Sequence, residues 1–150
     1  MVKKFSLVIT AIFVLSSFAL GFPFGGRSGS VREQAMGGAG VAFAEGASAV
    51  DWNPAGLSWL RAPIIGGSHC FWSGVEGISQ EYLVVGIPVK PGKIGVGVSW
   101  LGQYALLESR YYGESVMADN VFAVGVGMIM GSSLRIGAVS YTHLTLPTKA

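Results

Sequence analysis

Residues 120–130 read NVFAVGVGMIM and residues 93–101 read KIGVGVSWL, and in both stretches every second side chain is large and apolar. Phe122, Val124, Val126, Met128 and Met130 alternate with Ala123, Gly125 and Gly127, while Ile94, Val96, Val98 and Trp100 alternate with Gly95, Gly97 and Ser99. A period of two puts successive side chains on opposite faces of a β-strand. Working outward, Leu83, Val85, Ile87 and Val89 share one face of residues 81–90, and in 133–138 Leu134, Ile136 and Ala138 oppose Arg135 and Gly137. A first strand is expected over residues 62–71. The pattern predicts an all-β, antiparallel fold with about five strands.

The two faces differ in a telling way. In a soluble sheet the outer face carries Lys, Glu and Thr, but here the second face carries Gly and Ala. The chain of 150 residues is 51% hydrophobic and only 12% charged, against about a quarter charged in an ordinary soluble domain. Past residue 20 no run approaches the roughly 20 apolar residues that a spanning helix needs. The remaining way to keep such a chain in a membrane is a β-barrel. The large residues then face lipid, and Gly95, Gly97, Ser99, Gly125, Gly127 and Arg135 face the lumen. Small inward residues would leave room for a plug.

Connections set an orientation. Pro91-Gly92 and Gly131-Ser132 make short turns, whereas residues 73–79 and 104–119 read as longer polar loops. Barrels of this type keep short turns in the periplasm and long loops outside, so the first strand is expected to run outward. Trp72, Tyr82, Trp100 and Phe122 then fall near the outer ends, as an aromatic girdle would. About five strands are fewer than the eight of the smallest closed membrane barrels, so more barrel is expected beyond residue 138.

The N-terminus reads as a secretory signal. Residues 1–4 are basic, residues 5–20 (FSLVITAIFVLSSFAL) are apolar, and Ala19-Leu20-Gly21 offers a small-x-small cleavage site before Phe22. The expected division is 1–21 signal peptide, 22–61 an irregular N-terminal segment, 62–138 the first barrel strands and 139–150 a tail. The formal charge of +2 includes Lys3, Lys4 and Lys149; without those three, 7 Lys/Arg stand against 8 Asp/Glu. No basic stripe suits nucleic acid. The lone Cys70 offers neither a disulfide nor metal-ligand spacing.

Residues 25–61 are Gly- and Ala-rich without alternation, which makes poor strand material. Asn53-Pro54 fits a helix start, with Asn53 as N-cap and Pro54 in the first position. Met36-Gly37-Gly38-Ala39-Gly40 can take positive φ and pack closely. It is not a dinucleotide loop, because the residues before it (Ser30 to Gln34) are polar rather than a buried strand, and no Lys-Ser/Thr follows.

The run VREQAMGGAGVAFAEGASAVDWNPAGL, residues 31–57, resembles the N-terminal signature of FadL-like and PorV/PorQ-like outer-membrane β-barrels. Glu45-Gly46 stands where those proteins commonly have an Asp pair. The resemblance implies a hatch that plugs the barrel, containing Gly37, Gly38, Gly40, Asn53, Pro54 and Ala55. It implies transport of hydrophobic small molecules across the outer membrane or, alternatively, an accessory role in protein secretion and surface attachment. The expected partners are outer-membrane lipid with a hydrophobic ligand or secretion-system proteins, without nucleic acid, metal or cofactor. A hydrolase has little support: no Gly-x-Ser-x-Gly occurs, and His69 is the only histidine outside the tail.

That tail, residues 139–149 (VSYTHLTLPTK), resembles the conceptual translation of a sequencing-library adapter. His143 lies within it and is given no mechanistic role.

Overall fold

A computed structural model describes residues 29–71, 77–109 and 113–149. The expected signal peptide, its cleavage site, residues 22–28 and Trp72 lie outside them. Five strands form one antiparallel sheet in sequence order: β1 (Ile64–Phe71), β2 (Ile78–Lys90), β3 (Ile94–Ser109), β4 (Gly113–Met130) and β5 (Leu134–Lys149). Among the described strands β1 and β5 lack a second neighbour, so the sheet is open. Short helices precede it: α1 (Val31–Ala35), a 3-10 turn (Val41–Phe43), α2 (Ala49–Trp52) and a 3-10 helix (Pro54–Trp59).

Local chemistry explains the joints. The β2–β3 and β3–β4 registers carry the predicted alternation straight across the sheet, pairing Gly86 with Gly97 and Gly97 with Gly125. Gly92 and Gly131 take φ values of 69° and 66° in the two tight turns, a left-handed geometry that costs a residue without Cβ little. Beside Pro88, which has no N–H to donate, the β2–β3 register slips by a bulge. Asn53 is extended and its side chain accepts from the Ala55 amide at 3.3 Å, with Pro54 opening the 3-10 helix.

The expected polar loop over residues 104–119 is corrected. β3 runs to Ser109 and β4 starts at Gly113, with Tyr104 paired to Ala118 and Leu106 to Val116. Alternation continues there with mixed polarity, and backbone pairing needs no apolar face to persist. Residues 139–149 form most of β5, from Val139 opposite Gly125 to Lys149 opposite Ser115. The open edge of β4 presents unpaired backbone groups to which an extended segment can pair.

Candidate functional site: a short-helix segment docked on a glycine pad

The directly opposed residues of antiparallel strands share a face, so the registers sort the sheet cleanly. One face is covered by residues 44–60 and the other is open. The core lies between segment and covered face: Ala44, Ala47, Ala49, Val50, Leu57 and Leu60 from the segment meet Tyr82, Val84, Leu101 and Ala123 from the sheet. Leu57 and Val50 are fully buried.

The approach is backbone to backbone. A Cβ on Gly95 would fall 2.0 Å from the Leu57 carbonyl oxygen, one on Gly127 2.2 Å from that of Pro54, and one on Gly137 2.2 Å from the Ala55 nitrogen. On Gly97 and Gly125 it would meet Leu57 or Val50 side chains at 2.8 Å and 3.0 Å. These five glycines form a pad across β3, β4 and β5 on which the 3-10 helix lies. Within the segment, Gly56 plays the same part, because its Cβ would stand 2.0 Å from the Ala44 carbonyl oxygen.

Polar bonds fasten the segment to the strands. Asp51 on α2 accepts from the Tyr82 hydroxyl of β2 and the Ser99 hydroxyl of β3, each at 2.5 Å. Burial raises the Asp51 carboxyl above its ordinary range; the bonds from Ser99 and Tyr82 oppose this, and the Glu33 charge adds to it. On β5, Arg135 donates to the Ser58 hydroxyl at 2.7 Å and lies 3.5 Å over the Trp59 ring. The Gly92 amide in the β2–β3 turn donates to the Leu60 carbonyl at 2.8 Å. Upstream, Glu33 is buried and accepts from the hydroxyls of Ser30 and Ser48.

The residues singled out from the sequence fall into place as follows. Gly95, Gly97, Ser99, Gly125, Gly127 and Arg135 all lie on the covered face. Asn53, Pro54 and Ala55 lie at the start of the docked helix. Gly37 and Gly38 take positive φ just after α1, and Gly40 is pressed between Glu33 and Trp52, leaving no room for a Cβ. Trp100 and Phe122 are on the open face, where Trp100 donates to Asn120 at 3.0 Å. Tyr82 is a correction: it is not among the outward aromatics but is buried on the covered face, bonded to Asp51. Its parity with Leu83 already places it opposite the apolar row.

Asp51, Ser58, Gly86 and Gly137 were not singled out. Parity marks Gly137, whereas nothing local marks Asp51, whose partner Ser99 is 48 residues away. His69 pairs with Glu81 across β1–β2 on the open face, away from the docked segment. Among the described residues no cluster of three His, Cys, Asp or Glu could hold a metal, and no helix is long and apolar enough to cross a membrane. No family model, curated protein or solved structure matches the chain.

Proposed function

We propose that this chain forms the first strands of an outer-membrane β-barrel whose interior holds the N-terminal segment as a hatch, and that the barrel passes hydrophobic small molecules. The observation that carries the reading is an inversion. On the face covered by helices, five glycines receive the docked segment beside a few larger residues such as Tyr82, Val84 and Leu101, while the uncovered face carries most of the large exposed apolar residues. Val124 is 54% exposed, Ile87 52% and Met130 49%.

The dimensions of the open face suit a bilayer. Apolar residues recur on β4 from Met130 to Phe122, eight steps along the strand, or about 26 Å at ~3.3 Å per residue. A tilt of about 40° brings this to ~20 Å along the membrane normal, against an apolar band of about 25 Å in such barrels. Next outward comes a polar row, His69 with Glu81 and then Asn120. In this arrangement the tight turns lie in the periplasm, the long β3–β4 hairpin rises outside, and the free edges of β1 and β5 are paired by further strands, since open edges are not tolerated in lipid.

The backbone-tight docking favours a second reading, an accessory barrel of the PorV/PorQ type in protein secretion, in which the segment stays put. Both readings place the full-length protein in outer-membrane fractions, resistant to alkaline extraction. Recovery in the soluble periplasm would sink the barrel in either form. Uptake of a long-chain fatty acid by cells carrying the protein, compared with cells lacking it, separates the readings. Equal uptake would leave the accessory role.

A further inference from the structure

Asp51 is the acidic group on the docked face of the segment, and it meets the wall at two strands at once. We propose that Asp51, with the Tyr82 and Ser99 hydroxyls, is a proton-controlled latch: protonation tightens the docking of residues 44–60 on the sheet, and ionisation loosens it. The inference rests on the docking geometry and is independent of what the barrel carries.

The clasp is well placed for such control. Its three members come from α2, β2 and β3, so it ties the segment to neighbouring strands rather than to itself. Two hydroxyl donors serve a carboxylate, but neither brings a positive charge. Among the described residues, the charge that acts on Asp51 is that of Glu33 from α1, of like sign. From the other elements around it, the 3-10 helix Pro54–Trp59 contributes no ionisable group, and β3 offers Ser99 but no charge on its described covered face. β4 offers Asp119, two residues along the covered face beyond Val121 and farther from Asp51 than Ser99. Arg135 is engaged with Ser58 and Trp59 at the opposite end of the segment. Among the described residues, then, an ionised Asp51 gains two hydroxyl donors on docking but no cation.

Burial, the largest influence, raises the docked carboxyl above its ordinary 3.8. The docked state therefore binds the proton more tightly than the undocked one, and docking strengthens as pH falls. The window opens at the docked value and closes near 3.8, where the undocked group is also protonated. Within it, docking gains up to about tenfold per pH unit.

Hydrogen exchange on the full-length protein in lipid vesicles tests this, with rates corrected for the intrinsic pH dependence of exchange. The reporters are the amides of Asn53, Gly56 and Leu60, bonded to Ala49, Asn53 and Leu57 carbonyls. Corrected protection is expected to rise as pH is lowered through the docked carboxyl's value toward 3.8. In Asp51→Asn, whose amide can accept from one hydroxyl and donate to the other, protection should be independent of pH. Glu33→Gln should retain the slope while shifting it to lower pH. A flat profile in the native protein, or an unchanged slope in Asp51→Asn, would overturn the latch. A slope abolished by Glu33→Gln and retained in Asp51→Asn would overturn it too, by assigning the proton to Glu33.

Discussion

Adding a single methyl group to Gly127 should undo much of the docking. The new Cβ would sit 2.2 Å from the Pro54 carbonyl oxygen and 3.0 Å from the Ser58 amide nitrogen. Both are backbone atoms, so no rotamer change relieves the clash. Restoring an ordinary separation of 3.4 Å means lifting the 3-10 helix by about 1.2 Å, which thins the contacts of Leu57 against the sheet. Overpacking of this kind costs about 1–3 kcal/mol, and a value near 2 kcal/mol multiplies the undocked population about thirtyfold. Gly66→Ala is the matched control: it is the same chemical change on the same face, but its Cβ meets Val84 Cγ1 at 3.5 Å. Exchange at Gly56 and Leu60 reads the outcome, with β-sheet amides as the internal reference. Gly127→Ala should speed the segment amides by more than tenfold and leave the sheet nearly unchanged. Equal exchange in Gly127→Ala, Gly66→Ala and the native protein would refute the glycine pad.

Arg135→Gln removes the charge over Trp59 and weakens the bond to Ser58; because Trp59 is half exposed, a loss of only about 1 kcal/mol of docking is expected. Its readout is faster exchange at Leu60, and an unaltered rate would show that this contact does not hold the segment. Val126→Arg places a charge at the midpoint of the apolar run from Phe122 to Met130 and should cost about 2–4 kcal/mol of folding stability in a phosphatidylcholine bilayer. The same change at Asn120, in the polar row, should cost less than about 1 kcal/mol. Urea titration of the refolded protein in vesicles measures both, and equal penalties would contradict a bilayer across that face.

The sheet was legible because its alternation is nearly uninterrupted from Ile94 to Trp100 and from Phe122 to Met130, and a period of two has one structural meaning. Pro91-Gly92 and Gly131-Ser132 marked the turns for equally local reasons, and Asn53-Pro54 announced the docked helix. The halves of β3 and β4 that flank their connection were not legible. Their composition is mixed, so residues 104–119 read like a loop although the ladder continues. The purpose of the glycines was hidden for another reason. Gly95 and Gly127 are equally suited to bending a strand and to receiving a helix, and the choice depends on a segment about 40 to 70 residues earlier in the chain. The Asp51 clasp is non-local in the same way: the residue type and spacing carry no sign of it until β2 and β3 are side by side.

The inversion of the two faces decides more than the count of apolar residues does. When helices pack on a sheet in water, the large side chains of the sheet point at the helices, because that is where burial stabilises them. Here Leu57 lies against Gly97, while Val98, its sequence neighbour, points the other way and is 46% exposed. Each half-exposed Val, Ile, Leu or Met gives up roughly 1 kcal/mol relative to full burial. Ten of them on the open face amount to about 10 kcal/mol, comparable to the entire stability of a small domain. A water-facing sheet would have to bear that cost while spending its covered face on glycines that bury little. On the proposed barrel reading the same open face meets hydrocarbon and needs no protein cover, and the small covered face lets a second layer of backbone fit within a narrow interior.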